Sequence, residues 1–378
     1  MPSLDRFRGF ALALMIIFGA AKSVTVAPVF AALSTHDLSE ALIIFPGIGF
    51  YDLIAPLFVF ACGLGLGFYS DSLNSSRPMR RVIALVGLGA LVNLPTGDPL
   101  SFAFLAFSVI ALILVVLWFA GKKTSKPDAQ IISRILRKFV SFVGLFALAT
   151  AVVENVLYLV GVSVPSSHWS VLASIGVSAL FVYPFTRVRA EWKLFFCAAF
   201  TALYFAANLL VPAENFSYFT HGGLLGSFGW GLMCLYAATA VDLRKISKIS
   251  FLSFGACLCV SGFIIAELIV SSKSAVSLPY VLITSSVSLA LFGFFDCFNR
   301  LTVAYDPLSV AGKNSLFMYL VHLIIFVPMG TVINALLGLI PVGSALLTPI
   351  AAVALVGYFR LFSYVVKKIN GKGFRLKI

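Results

Sequence analysis

Charge is what this sequence has least of. Asp, Glu, Lys and Arg make up 11% of its 378 residues while hydrophobic residues make up 61%, and the mean hydropathy is +1.05. No soluble globular domain keeps that balance over such a length, so soluble dehydrogenases, kinases, nucleic-acid binders and secreted disulfide scaffolds are excluded at the outset. Cysteine and histidine are also few. The six cysteines fall inside or at the ends of apolar runs, where a thiol behaves as a small apolar side chain, and the four histidines share no ligand spacing. Neither a disulfide framework nor a metal site is expected. Low-complexity segments are missing too. The longest polar stretch, Gly121 to Lys138, reads as one loop, and residues 1–378 read as a single domain.

Present in quantity are apolar runs of roughly 17 to 25 residues, the length that crosses a hydrocarbon core, and about twelve can be drawn. They cover approximately 9–33, 43–69, 82–96, 99–120, 139–162, 169–186, 194–212, 222–241, 250–271, 277–297, 314–334 and 343–366. The expected fold is all-α: a polytopic integral membrane helix bundle with about 12 (10–12) transmembrane helices. The formal charge of +13 follows this layout, because all 27 basic residues except Lys22 and Lys273 lie at the termini or in alternate connections. By the positive-inside rule that side is cytoplasmic, and so are both termini. The basic balance thus orients the chain in a lipid bilayer, expected to be a bacterial cytoplasmic membrane, and implies no nucleic-acid partner. Trp118, Trp169 and Trp192 fall near expected span ends, as interfacial indoles do, while Trp230 lies mid-span.

An ionisable group at a span centre costs roughly 2.5 to 3.5 kcal/mol on insertion scales, so each is a candidate for function. Lys22, Asp52, Glu154, Glu267, Asp296 and His322 are the cases, with Glu267 and Asp296 close enough to span ends for water to reach. Asp52 stands in Pro46-Gly47-Ile48-Gly49-Phe50-Tyr51-Asp52-Leu53-Ile54-Ala55-Pro56, a stretch too interrupted for one straight helix. Broken helices at membrane depth line cavities, which points to a polar pocket entered from the outer side; an Asp52–Lys22 ion pair of structural purpose is the other reading. His36, His168 and His221 share the outer face, and a base working near neutral pH is available from any of them, His36 being nearest to the broken segment. His322 follows Tyr319-Leu320-Val321 inside a span and needs a hydrogen-bond partner. At the cytoplasmic mouth, Asp5 and Arg8 are three apart, share a helix face and are expected to pair, presenting the guanidinium to an anion; a charge cluster that only orients the first helix is the other reading. Gly312-Lys313-Asn314-Ser315 places a second cation at a helix start, where phosphate is readily held.

Ser3-Leu4-Asp5-Arg6-Phe7-Arg8-Gly9 resembles the opening Ser-x-Asp-x-x-Arg-Gly of the heparan-α-glucosaminide N-acetyltransferase family and of the wider transmembrane acyltransferase superfamily. Phe50-Tyr51-Asp52-Leu53-Ile54-Ala55-Pro56-Leu57-Phe58-Val59-Phe60-Ala61-Cys62-Gly63 is similar to that family's Tyr-Asp-Leu-Ile-x-Pro-Leu-Phe-x-Phe-x-x-Gly segment. Gly223-Leu224-Leu225-Gly226-Ser227 and Gly312-Lys313-Asn314-Ser315-Leu316 through Tyr319 are weaker counterparts. The resemblance implies a membrane enzyme that takes an acetyl or other acyl group from cytoplasmic acyl-CoA, with no metal, and delivers it to a sugar or glycan acceptor on the outer side. It implies donor contacts from Asp5, Arg8, Lys313, Asn314 and His322, and a catalytic role for Asp52. The family's catalytic histidine, ten residues before the aspartate, is Leu42 here; Phe45, Gly19 and Gly222 replace its tryptophan, asparagine and glutamate. His36 is the substitute base offered by the sequence. A transporter or flippase for a polar solute, and a catalytically silent relative, are the competing readings, and a homodimer is the oligomer considered.

Overall fold

The computed structural model describes residues 1–23, 43–45, 48–69, 171–211, 220–298 and 306–322, with shorter pieces within 82–87, 138–160 and 356–368 and the single residue 215. Helix α1 (Pro2–Ser23) is followed by strands β1 (Ile43–Phe45) and β2 (Ile48–Gly49), a 3-10 turn over Phe50–Leu53, and α2 (Ile54–Phe68). Then come α3 (Val171–Val182), extended by a 3-10 turn at Tyr183–Phe185, α4 (Ala190–Leu210), a 3-10 turn at Thr220–Gly222, and α5 (Gly223–Ile246). Next are α6 (Lys248–Ala266), α7 (Leu278–Cys297), and the short pair α8 (Pro307–Lys313) and α9 (Ser315–Val321).

The structure is mostly helical, and where the expected spans fall on described residues they coincide with helices except at two breaks. The expected span 43–69 is helical only from Ile54, because the chain first makes an antiparallel pair with Ile43 opposite Gly49 and Phe45 opposite Ile48. Strand pairing there satisfies backbone groups of Ile43–Phe45 and Ile48–Gly49 that no helix serves. The run expected to start at 314 begins earlier, at Pro307, with Asp306 capping through a bond from the Ser309 N–H at 3.1 Å. It is interrupted at Asn314, whose side-chain amide donates to the Val310 carbonyl at 2.8 Å. Lys22's side chain, Glu154 and the spans 99–120 and 343–366 lie largely or wholly outside the described residues.

Helix α5 runs through the centre. From Leu232 to Val241 nearly every side chain is fully buried, so the helix is apolar all round and meets protein on every face. Helices α2, α3, α4, α6 and α7 pack around it. The outer helices turn large apolar side chains outward, among them Phe195, Leu203 and Leu210 on α4 and Leu252, Val260 and Ile264 on α6. Three described helices, α4, α6 and α7, are long and apolar enough to cross a membrane. Faces of that size have no place in water, and they fit hydrocarbon: this is an integral membrane protein. Hydroxyls inside the bundle bond back to their own helix, as Thr284, Ser285 and Ser288 do to the carbonyls four residues earlier, at 2.6, 2.6 and 2.7 Å.

One end of the bundle is tied by ion pairs. Arg244 forks onto both oxygens of Asp296 at 2.8 and 2.7 Å and lies over the Phe68 ring. Buried Lys193 joins Asp242 and donates to the Thr186 carbonyl, and Arg6 joins Asp306 and donates to the Phe298 carbonyl at 2.8 Å. Asp296, expected at a span end, therefore serves to fasten α7 to α5.

Candidate functional site

Two polar places lie at different depths along α2. The first is where α1 crosses α8. An added Cβ on Gly9 would stand 1.9 Å from the Leu308 carbonyl oxygen, and one on Gly312 would stand 1.7 Å from that of Asp5. The two helices touch backbone to backbone, and only glycine fits at either point. Gly9 closes the Ser3–Gly9 segment and Gly312 opens the Gly312–Tyr319 segment, so two stretches about 300 residues apart in sequence are interlocked here.

The third segment meets them through Arg8. Its guanidinium reaches the Ala61 carbonyl at 3.4 Å and lies over Gly65, where a Cβ would be 2.5 Å from Nη2. Gly63, two residues earlier, allows α2 to press on α5, since its Cβ would fall 2.3 Å from the Cys234 carbonyl oxygen. Beside Arg8 is a cavity of about 170 Å³. Ser315, Tyr319 and Cys62 give it polar edges, and Phe58, Leu172 and Ile175 are among its apolar walls. A guanidinium within an otherwise apolar recess is costly without an anion or a ring of acceptors to meet it, which makes this the natural place for a ligand with an anionic and an apolar part.

Asp5, Lys313 and Asn314 stand at the same crossing but do not line the cavity. The expected Asp5–Arg8 pair is not how the charges are partnered: the Asp5 carboxylate is 3.8 Å from the amino terminus, and the close carboxylate pair on α1 belongs to Arg6. The reason is the interlock, which aims Arg8 toward α2 and leaves Arg6 facing Asp306. Burial pushes the Asp5 carboxyl upward, while the amino terminus, Arg8 and Lys313 draw it down. Lys313 is exposed, and Asn314 is buried and spent on the helix break. His322 is buried just beyond α9 and is not among the residues lining the cavity.

The second place is around Asp52, about 20 Å along the axis from Gly65 at 1.5 Å per residue. One Asp52 oxygen accepts the Gly49 N–H at 3.0 Å, which holds the turn between β2 and α2. The other meets Lys273 at 3.1 Å. Lys22 was the partner considered from sequence, and the described partner is instead Lys273, carried by the connection between α6 and α7. Tyr280 donates to the Asp52 carbonyl at 2.7 Å and sets its ring edge-on to Trp230, with centroids 6.0 Å apart. Trp230 in turn donates to the His221 carbonyl at 3.1 Å. His36 and His168 lie outside the described residues.

Lys273 was missed as a site residue, although a signal existed: with Lys22 it is one of two cations that fall outside the basic termini and alternate connections. Ser315, Tyr319 and Cys62 carried only the weaker signal of lying within the Phe50–Gly63 and Gly312–Tyr319 segments.

A membrane helix bundle whose separated motif segments close around one arginine-bearing cavity defines the class of protein. Residues 1–168 match the family model described as heparan-alpha-glucosaminide N-acetyltransferase, catalytic, and this match supports the heparan-α-glucosaminide N-acetyltransferase-like family resemblance drawn from Ser3–Gly9 and Phe50–Gly63. No curated protein matches the chain.

Proposed function

We propose that the protein is a membrane acyltransferase that takes an acyl group from acyl-CoA at the Arg8 cavity and passes it to a sugar or glycan acceptor at the Asp52 end. The observation that carries this reading is the convergence of Ser3–Gly9, Phe50–Gly63 and Gly312–Tyr319 on one cavity, with Arg8 of the first lying over Gly65 and beside Ser315 of the third. Arg8 offers a fork for a CoA phosphate, Lys313 and Asp5 set the field at the entrance, and the apolar wall suits the extended arm of CoA, whose thioester reaches toward the Asp52 end. Asp52, in this reading, orients the acceptor. The end tied by Arg6, Lys193 and Arg244 faces the cytoplasm, where acyl-CoA is found, in a chain of ten to twelve crossings with both termini on that side.

Calorimetric titration of the detergent-purified protein with acetyl-CoA tests the reading, with free CoA and ATP as controls. Saturable acetyl-CoA binding supports it. Absence of binding to any CoA species by folded protein removes it. The broken segment before Asp52 also favours a second reading, passage of a polar solute past the Asp52–Lys273 pair. Solute uptake into proteoliposomes without any acyl transfer is the result that would favour that reading.

A further inference from the structure

The Asp52 end is assembled from three connections, and its backbone is strained where they meet. His221, Gly222 and Gly223 are all left-handed, with φ of 55, 76 and 55°. Val276 is left-handed as well, with φ of 50°. A β-branched residue in that region costs of the order of 1 to 3 kcal/mol and persists only when its surroundings hold it there. They do so here. The fully buried Val276 packs on the Gly222 and Gly226 positions, where an added Cβ would be 2.7 and 3.0 Å from its Cγ2, and its carbonyl accepts the Tyr204 hydroxyl at 2.8 Å. The Leu278 N–H donates to Asn208 at 2.9 Å, and Ser272 and Ser277 bond each other's backbone N–H through a side-chain oxygen and a carbonyl at 2.9 and 3.0 Å. The result is that the segment bearing Lys273 is pressed against the turn bearing His221. A relay from Asp52 through Tyr280 and Trp230 to the His221 backbone fixes the same turn from the other side.

We propose that His221 takes the proton of the acceptor at this end, with the Lys273–Asp52 pair positioning the acceptor's polar groups beside it. The inference rests on the acyltransfer reading and supplies the base that Leu42 lacks. Burial, and then the Lys273 charge, bring the imidazole down to about 4, so it is neutral with a lone pair available at ordinary pH. Among the described residues, Lys273, Asp52, Tyr280 and Tyr204 are the titratable groups facing this junction, from the α6–α7 connection, the α2 turn, α7 and α4. In the step, the acceptor oxygen or nitrogen forms a bond to the acyl carbonyl carbon while its proton moves to the imidazole. The carbon–sulfur bond breaks, CoA leaves as a thiolate, and a proton returned through the imidazole or water gives the free thiol. Acyl-CoA and acceptor become acylated acceptor and CoA, with nothing oxidised or reduced.

The test uses the full chain in detergent with radiolabelled acetyl-CoA and, as acceptor probes, glucosamine and glucose. His221→Asn is expected to lower kcat by about a hundredfold or more, with acetyl-CoA affinity and the thermal midpoint unchanged. Lys273→Gln is expected to raise the acceptor KM at unchanged acetyl-CoA affinity, and it reports on the positioning role even where a His221 variant does not fold. A folded His221→Asn protein within about threefold of the parent kcat overturns the proposal; so does a hundredfold loss in His36→Ala beside an active His221→Asn, which gives the base to His36. The parent's own behaviour separates the two levels: a parent that binds acetyl-CoA and transfers nothing ends the acyltransfer reading, whereas an active parent with an equally active His221→Asn ends only this inference.

Discussion

The neighbourhoods of Gly65 and Asp52 sit toward opposite ends of α2, the second in the turn that precedes it, and are held by different physics. Around Gly65, position comes from backbone contact: Gly9, Gly312 and Gly63 let α1, α8, α2 and α5 approach until carbonyls touch the Cα atoms, and Arg8 is carried into place by that packing. Around Asp52, position comes from directed polar bonds between connections, namely Gly49 and Lys273 on the carboxylate, Tyr280 on the backbone, and a left-handed Val276 clasping the His221 turn. A contact made of backbone admits no added atom. One made of partly exposed charges tolerates substitution in the fold and answers in chemistry. The difference suits an end that grips a constant donor and an end that meets a polar acceptor.

The comparison breaks most visibly at the interlock. Gly9→Val or Gly312→Val must separate α1 from α8, and we expect a loss of about 3 kcal/mol or failure to fold, at the upper end of overpacking costs. Yield and thermal midpoint in detergent check this. Next is Lys193→Met, which strips Asp242 and the Thr186 carbonyl of a buried cation; about 1–3 kcal/mol should be lost, moderated because Lys245 stays 3.2 Å from Asp242. A pair of glycine changes sharpens the contrast within α2 itself. Gly63→Ala meets backbone at Cys234 and should lower the melting temperature, whereas Gly65→Ala meets the end of the flexible Arg8 side chain, so stability should hold while acetyl-CoA affinity falls roughly tenfold. At the other end, Asp52→Asn should cost less than about 1 kcal/mol of stability, since its ion pair is partly exposed, yet impair transfer at least tenfold.

The smallest effect is one of pH. His221 has an ordinary value near 6.5 when unfolded and about 4 when folded, so between those limits the unfolded chain binds the proton that the folded one refuses. Stability should therefore fall as pH drops from about 6.5 toward 4, and His221→Asn should flatten that part of the curve. A slope unaltered by the substitution would contradict the burial assigned to this imidazole.

Much of the helical frame was legible because apolar run length is a direct image of hydrocarbon thickness, and the break before Asp52 was legible because Pro and Gly announce it. Arg8 and Asp52 stood out as charges in or near apolar runs. The partners did not. Nothing local in Lys273 says that it reaches Asp52, since their meeting depends on a strained valine three residues on and a tyrosine of α7. The pairing of Asp5 with Arg8 follows from helix periodicity alone, and the structure sets it aside because Gly9 and Gly312 fix the rotation of α1. Asn314 was read as the start of a span, and what the sequence did not show is that the helix begins already at Pro307 and that a single amide turned back on Val310 divides α8 from α9.

The central claim is that Arg8 marks the donor site. Calorimetric titration of acetyl-CoA into the parent and Arg8→Gln proteins, both shown to be folded, tests it most directly. The account predicts saturable binding by the parent and at least about tenfold weaker binding by the variant. Equal affinity in the two, or no affinity in the parent, would contradict it.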